Sequence, residues 1–130
     1  MNLKPTVLIA DDEIAILHVI TIKLKKAGYK VIGASNGIEA YETAIRAIPD
    51  LIITDYNMPG LSGLELCSKL NHNILTKDIP AIMLTSHSFE ISHEKLEQAG
   101  IVKCLEKPFS PKALLEEVEA LTENLMPAMV

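Results

Sequence analysis

The sequence predicts an α/β protein in which a five-stranded parallel sheet is covered by helices on both faces. Five short apolar runs rich in Ile, Val and Leu alternate with longer segments whose apolar residues recur at helical spacing. The short runs are nearly continuous in their apolar residues, which is typical of strands buried on both faces. The predicted strands are Val7–Ala10, Tyr29–Gly33, Leu51–Thr54, Ala81–Thr85 and Ile101–Leu105.

The first helix is expected to begin after Asp12 and to end at Gly28. Glycine is suited to the left-handed conformation that commonly follows the last turn of a helix. The spacing of apolar residues between these two points predicts one buried stripe, and the lysines fall on the opposite face. The residues of the predicted stripe are Leu17, Ile20, Leu24 and Ala27.

Capping residues mark the starts of the second and third helices. Asn36 precedes Glu39 by three residues and Ser62 precedes Glu65 by three, which is the spacing of a capping box. Pro49 is expected to end the second helix, because proline cannot continue the hydrogen-bond ladder. The residues predicted to face the core are Tyr41, Ala44, Ile45 and Ile48 in the second helix, and Leu66, Cys67 and Leu70 in the third.

The last two helices differ in how clearly the sequence marks them. Ser110 as cap and Pro111 in the first turn predict the fifth helix, which presents Leu114, Val118 and Leu121 on one face. The fourth is expected within residues 89–99, where Ile91, Leu96 and Ala99 form only a loose apolar set. Residues 1–124 are therefore interpreted as one domain, and residues 125–130 as a C-terminal tail or the stub of a linker.

Composition limits the classes of function. The chain has 130 residues, of which 48% are hydrophobic and only 4% aromatic, so its core must be aliphatic. The net charge is −5 and no basic run is longer than two residues, which argues against direct binding of nucleic acid. No stretch is apolar enough for a membrane span. Two cysteines without a disulfide framework also fit a reducing compartment, and we expect a soluble, cytoplasmic protein.

Polar residues follow four of the five predicted strands at one edge of the sheet. Asp11 and Asp12 follow the first strand, Asp55 the third, Thr85 ends the fourth, and Lys107 lies just beyond the fifth. Parallel sheets bind ligands outside the carboxyl ends of their strands, where the strand order reverses. With the predicted order 2-1-3-4-5, that crevice opens between the first and third strands.

The residue types at this edge are those of a phosphoryl-binding pocket. Clustered carboxylates need a cation to remain ionised together, and hard oxygen ligands favour Mg²⁺. A lysine and a threonine hydroxyl can donate hydrogen bonds to phosphoryl oxygens. An aspartate inside such a pocket can itself act as the nucleophile and form an acyl phosphate.

Four segments resemble the receiver domain of two-component response regulators, the flavodoxin-like class that includes the chemotaxis receiver. They are LIADDE (8–13), TDYNMPGLSG (54–63), MLTS (83–86) and the stretch from AG (99–100) to KPF (107–109). The resemblance covers roughly residues 5–124, in order and spacing. It implies that Asp55 is the phosphoacceptor and that Thr85 and Lys107 contact the phosphoryl oxygens. It also implies a Mg²⁺ site formed by Asp11, Asp12, Asp55 and the backbone carbonyl of Asn57.

By the same resemblance, the chain is expected to be a signalling switch rather than an enzyme, with at most slow autodephosphorylation. It would take its phosphoryl group from a sensor histidine kinase or a phosphotransfer protein. Its output would be a downstream protein partner or an output domain outside this chain, without direct contact with nucleic acid or membrane.

One departure and two alternative functions accompany this interpretation. Receivers usually carry Tyr or Phe where this chain has Cys104, so the movement of Thr85 on phosphorylation is expected to change the face formed by helix four, strand five and helix five less than usual. A receiver-shaped scaffold that acts independently of phosphorylation is therefore one alternative. The other is a Mg²⁺-dependent phosphatase with Asp11 as nucleophile, although such enzymes carry Asp at the position of Glu13.

Overall fold

All five strands form one parallel sheet in the order β2-β1-β3-β4-β5, which confirms the predicted fold class and strand order. The computed structural model describes residues 4–86 and 91–123. The expected tail at 125–130 and the beginning of the window for the fourth helix, at Phe89, lie outside these residues. The elements are β1 (Thr6–Ala10), α1 (Ile14–Lys26), β2 (Lys30–Ala34), α2 (Gly37–Ala47), β3 (Leu51–Asp55), α3 (Gly63–Asn71), β4 (Ala81–Thr85), α4 (His93–Gln98), β5 (Ile101–Glu106) and α5 (Pro111–Glu123).

The sheet separates two hydrophobic cores. Successive side chains of a strand point to opposite faces, so β1 contributes Leu8 to one core and Ile9 to the other. The first core lies against α2, α3 and α4, and includes the predicted residues Leu66, Cys67 and Leu70. The second core lies against α1 and α5 and includes the predicted residues Ile20, Leu24, Leu114 and Val118. Burial on both faces explains why the three central strands, β1, β3 and β4, are largely apolar.

β2 starts one residue later than predicted because of the way in which α1 ends. Gly28 adopts a φ of 98°, the left-handed conformation expected from the sequence. The Gly28 N–H donates to the Lys25 carbonyl at 3.0 Å, and the Tyr29 N–H donates to the Leu24 carbonyl at 3.1 Å. This pair of bonds is a Schellman motif. Tyr29 therefore belongs to the helix cap, and β2 begins at Lys30 rather than at Tyr29 as predicted.

Both predicted caps of α2 and α3 form. Asn36 accepts a hydrogen bond from the Glu39 N–H at 2.8 Å, but the Glu39 carboxylate reaches Ser35 rather than the cap residue. Ser62 and Glu65 form a complete capping box. The prediction that Ile48 faces the core is wrong, because its side chain is 43% exposed and its φ is 45°. A residue before proline is disfavoured in the right-handed helical conformation, so Ile48 leaves the helix and α2 ends at Ala47.

The fourth helix is as short as its weak pattern suggests. It has six residues and buries none of them, while Ile91 lies before it and the buried Ala99 follows it.

α5 begins after Ser110, whose hydroxyl oxygen accepts from the Ala113 N–H at 3.2 Å. No helix within residues 4–86 or 91–123 is long and apolar enough to cross a membrane.

The two cysteines should differ in reactivity. Cys67 is buried, and burial raises the pKa of its thiol to about 12, while Cys104 is half-buried and burial also raises its thiol pKa. Because the thiolate is the reactive form, we expect iodoacetamide at mildly alkaline pH to modify Cys104 slowly and Cys67 only after unfolding. Intact mass of wild type, Cys67→Ala and Cys104→Ser, with and without urea, measures this. Equal labelling of both thiols in the folded protein would contradict it.

Candidate functional site

The crevice between β1 and β3 contains two buried aspartates. Ala10 pairs with Thr54 in the sheet, so the residues that follow them, Asp11 and Asp55, leave adjacent strands side by side. Asp11 is 0% exposed and Asp55 is 5% exposed. The backbone continues the ladder here, because the Asp11 N–H donates to the Ala34 carbonyl at 3.1 Å. The positions of the two carboxylates are therefore fixed by the sheet itself.

A third carboxylate completes an acidic cluster at this edge. One oxygen each from Asp11, Asp12 and Asp55 lie within 4.8 Å of one another. Asp12 is exposed whereas the other two are buried, so the cluster faces solvent on one side. Oxygens around Mg²⁺ are about 3 to 4 Å apart at its usual bond length of about 2.1 Å. Three hard oxygen donors this close together, with one side open, need only small side-chain movements to bind a divalent cation of that class.

Lys107 reaches into the cluster from the loop after β5. Its Nζ lies 3.2 Å from Asp55 Oδ1 and 3.4 Å from Asp11 Oδ2. A third carboxylate oxygen, Oε1 of Glu13, lies 3.1 Å away. The lysine side chain is only 14% exposed, and its backbone N–H donates to the Thr85 carbonyl at 2.9 Å. The structure thus brings Lys107 to the aspartates despite a separation of 96 residues in sequence from Asp11.

Burial sets the direction of the pKa shifts of Asp11 and Asp55, whereas ion pairs set that of Lys107. Burial raises the pKa of the Asp11 and Asp55 carboxyls above the usual value of 3.8, and the Lys107 ammonium only partly opposes this. Burial also lowers the pKa of Lys107, but its ion pairs with the three carboxylates raise that pKa overall. The site therefore holds more negative charge than its single lysine compensates, which favours an additional cation.

Thr85 adjoins this cluster through the sheet, whereas Asn57 follows Asp55 in the loop after β3. Thr85 is the buried last residue of β4 and directly follows Leu84, which pairs with Asp55 in the sheet. Its carbonyl also anchors the backbone of Lys107, so Thr85 and Lys107 are linked directly. Asn57 is exposed in the loop two residues after Asp55. The role of its carbonyl as a metal ligand stays a prediction.

The loop between β3 and α3 is folded back tightly against the site. The Gly63 N–H donates to the Tyr56 carbonyl at 2.7 Å, and a Cβ at position 63 would overlap the Asp55 carbonyl oxygen. Within this loop Gly60 adopts a φ of 83°, a left-handed conformation that favours glycine. The first helical residue of α3 is therefore a glycine because the end of β3 leaves no room for a side chain.

Glu13 is the one member of the site that the sequence did not assign. It lies between Asp12 and α1, as the cap residue of that helix, but its side chain makes no capping hydrogen bond. The carboxylate points to Lys107 instead. The only signal in the sequence is a third consecutive acidic residue, and the sequence alone does not determine which way that side chain points.

Comparison with known proteins supports the resemblance found in the sequence. A family model described as Response regulator receiver domain matches residues 7–119. The phosphate regulon transcriptional regulatory protein PhoB of Pseudomonas aeruginosa is 38% identical over 122 residues, covering 94% of this chain and 53% of PhoB. Histidine kinase P4 of Formosa agariphila is 37% identical over 123 residues, covering 95% of this chain and 9% of the kinase. The chain thus spans about half the length of its PhoB relative.

Solved structures agree with this match. The chemotaxis response regulator CheY4 of Vibrio cholerae superposes with a TM-score of 0.84 at 33% identity, covering 91% of this chain and 98% of that chain. The response regulator TrrA of Thermotoga maritima, in complex with Mg(2+)-BeF, superposes with a TM-score of 0.79 at 32% identity, covering 89% and 97% of the two chains.

Asp55 should reduce stability at neutral pH in the absence of divalent cations. Because its pKa is raised in the folded state, the folded protein binds its proton more tightly, and stability falls as pH rises from about 3.8 through that raised pKa. We expect Asp55→Asn to raise the free energy of unfolding at neutral pH by about 1 kcal/mol, a typical size for a point mutation. The gain should shrink as pH falls towards 3.8.

Urea denaturation at several pH values, in the presence of a chelator, measures this difference. Asp78→Asn is the matched control, since Asp78 is exposed far from the crevice in the loop before β4. A gain that is largest at acid pH, or that Asp78→Asn reproduces, would show that burial of the Asp55 charge is not its cause.

Proposed function

The chain belongs to the response regulator receiver domain family, and we propose that it is a phosphorylation-controlled signalling switch in which Asp55 accepts the phosphoryl group. The observation that carries this proposal is the convergence of Lys107 with three carboxylates at the one crevice where the strand order reverses. Asp55 is the buried carboxylate that ends a strand at the centre of the sheet. Family membership supports a phosphoacceptor role rather than turnover of an external substrate.

The donor we propose is a phosphohistidine on a sensor histidine kinase or a phosphotransfer protein. A carboxylate oxygen of Asp55 attacks the phosphorus, and the new O–P bond forms as the N–P bond breaks. The bonding pair of the broken bond stays with the imidazole nitrogen, so the products are an acyl phosphate and a free histidine. The matched receiver region in a histidine kinase is consistent with this chemistry.

Lys107 and Thr85 are proposed to bind the transferred group. The Lys107 ammonium is already 3.2 Å from Asp55 Oδ1, so a phosphoryl oxygen on Asp55 would lie within its reach. Thr85 lies one residue beyond the sheet partner of Asp55 and offers a hydroxyl donor. The low exposure of all three side chains excludes most water, which strengthens their electrostatic interactions.

Mg²⁺ is the cofactor that the donor set fits. We propose Asp11, Asp12, Asp55 and the Asn57 carbonyl as its ligands. When bound, the ion would neutralise the clustered carboxylates and the phosphoryl oxygens. The TrrA complex with Mg(2+)-BeF, in a chain of the same fold at 32% identity, supports this assignment.

The phosphatase alternative fits the site less well. Asp11 is fully buried, one of its oxygens accepts from the Glu13 N–H at 2.8 Å, and the other is paired with Lys107. The connection from β1 to α1 is only three residues long, so it holds no lid over a substrate. A phosphoacceptor role for Asp55 requires neither the release of these Asp11 contacts nor a lid.

The output of the switch is proposed to lie in protein contacts or in a domain outside this chain. We assign residues 1–124 to the receiver, since the family match ends at residue 119 and α5 ends at Glu123. The PhoB relative is about twice as long as the matched region and its name describes transcriptional regulation. Direct action on nucleic acid or membrane by the receiver is not part of the proposal.

Phosphorylation should depend on one side chain and on a divalent ion. We expect wild type to gain the mass of one phosphoryl group when incubated with a small-molecule phosphodonor and Mg²⁺. Asp55→Asn should gain none, because it lacks the nucleophilic oxygen, and chelation of Mg²⁺ should prevent the gain in wild type. Intact mass spectrometry measures all three outcomes.

Asp78→Asn is the control here too, and it should be phosphorylated like wild type. Absence of any mass gain in wild type would refute the switch. Repeated hydrolysis of a phosphate ester that persists in Asp55→Asn would support the phosphatase, and a mass gain without change in partner binding would support the scaffold.

Phosphorylation should affect the face formed by α4, β5 and α5 only weakly, because Cys104 stands where receivers usually carry an aromatic ring. Cys104 is half-buried at the sheet position opposite Met83 and packs against the core shared by α2, α3 and α4. We expect phosphorylation to change amide chemical shifts less in residues 88–106 than around Asp55. The Cys104→Tyr variant should show larger changes there. Wild-type shifts in residues 88–106 as large as those around Asp55 would contradict this expectation.

A further inference from the structure

We propose that Glu13 is a positioning residue that competes with the phosphoryl group for Lys107 and so weakens phosphoryl binding at Asp55. The inference rests on the proposed function and concerns the same site. It adds a residue that sets how strongly the site holds its ligand.

The contacts of the lysine suggest this competition. Lys107 Nζ lies closer to Glu13 Oε1, at 3.1 Å, than to the oxygens of Asp55 and Asp11, at 3.2 and 3.4 Å. An ammonium group has three N–H donors. Three carboxylate oxygens therefore occupy all of them in the unphosphorylated protein, and a phosphoryl oxygen can bind Lys107 only if one partner is released.

Glu13 is the partner that can be released most easily. Its side chain is 60% exposed, whereas Asp11 and Asp55 are buried, so its carboxylate can move into water without leaving an unsolvated charge. Its backbone remains fixed, because its N–H donates to Asp11 Oδ1 at 2.8 Å and its carbonyl accepts from the first turn of α1. Only the side chain has to change conformation.

The negative charge of Glu13 also weakens phosphoryl binding, in addition to the hydrogen bond from Lys107 that it accepts. It adds a fourth carboxylate beside a crevice that already holds three, and every one of them opposes the entry of an anionic phosphoryl group. Removing that charge should therefore free one donor of Lys107 and reduce the repulsion. Because Glu13 is largely exposed, the gain should be modest, about two- to fivefold in affinity, the range of exposed ion pairs.

The test is the binding of beryllium fluoride, as an analogue of the phosphoryl group, in saturating Mg²⁺. Isothermal titration calorimetry should show a dissociation constant about two- to fivefold lower in Glu13→Gln than in wild type. Glu42→Gln is the matched control, because it removes the same charge from an exposed position on α2, and it should bind like wild type. In a Lys107→Met background the effect of Glu13→Gln should become smaller, since only the charge repulsion is left once there is no ammonium to compete for.

A second measurement does not depend on the ligand. In protein carrying isotope-labelled lysine, the ammonium resonance of Lys107 should shift in free Glu13→Gln and not in free Glu42→Gln. An unchanged resonance would overturn the proposal, and so would unchanged or weaker binding in Glu13→Gln or an equal effect with and without Lys107. If wild type binds no beryllium fluoride while the Lys107 resonance does respond to Glu13→Gln, the proposed function fails and the contact itself stands.

Discussion

The constraint on which this structure depends is the concentration of negative charge at the ends of β1 and β3. Two of the three clustered aspartates are buried, and a single lysine reaches them. Such an arrangement is costly unless it is compensated, because burial destabilises the ionised carboxylates and their proximity adds to that effect. The site therefore favours an additional cation, and under the proposed function the phosphoryl group would add charge that both the cation and Lys107 could bind.

The fold supplies what this charge cluster needs, which is rigidity from backbone hydrogen bonds. Asp11 and Tyr56 extend the sheet ladder beyond the strands through bonds to Ala34 and Leu84, and Lys107 is anchored on Thr85. The main site residues thus lie at or directly after the ends of strands rather than in long loops, namely Asp11, Asp55, Thr85 and Lys107. The two apolar cores on either side of the sheet hold those strand ends in register.

The sequence predicted these parts unequally, for physical reasons. Strand runs and helix caps are local patterns, and they predicted all ten elements. The strand order is a non-local property, and its prediction rested on the doubly wound topology that the chemotaxis receiver shares. The errors occurred where two local rules compete, at Tyr29 between helix cap and strand, and at Ile48 between helical periodicity and the proline that follows. Glu13 was not assigned because its role depends on a side-chain direction towards Lys107, a residue 94 positions away.

The link between Thr85 and Lys107 bears on how a signal could leave the site without an aromatic ring. A ligand shifts a conformational equilibrium only by its differential affinity for the two states. Both proposed phosphoryl contacts belong to one hydrogen-bonded unit, because the Lys107 N–H is bound to the Thr85 carbonyl and Thr85 pairs with Glu106 across β4 and β5. A phosphoryl group that pulls on Thr85 and Lys107 together would move the ends of both strands as one body. Any displacement of β5 that follows would be small, with Cys104 moving with the strand rather than changing rotamer, in agreement with the weak response expected of the face formed by α4, β5 and α5.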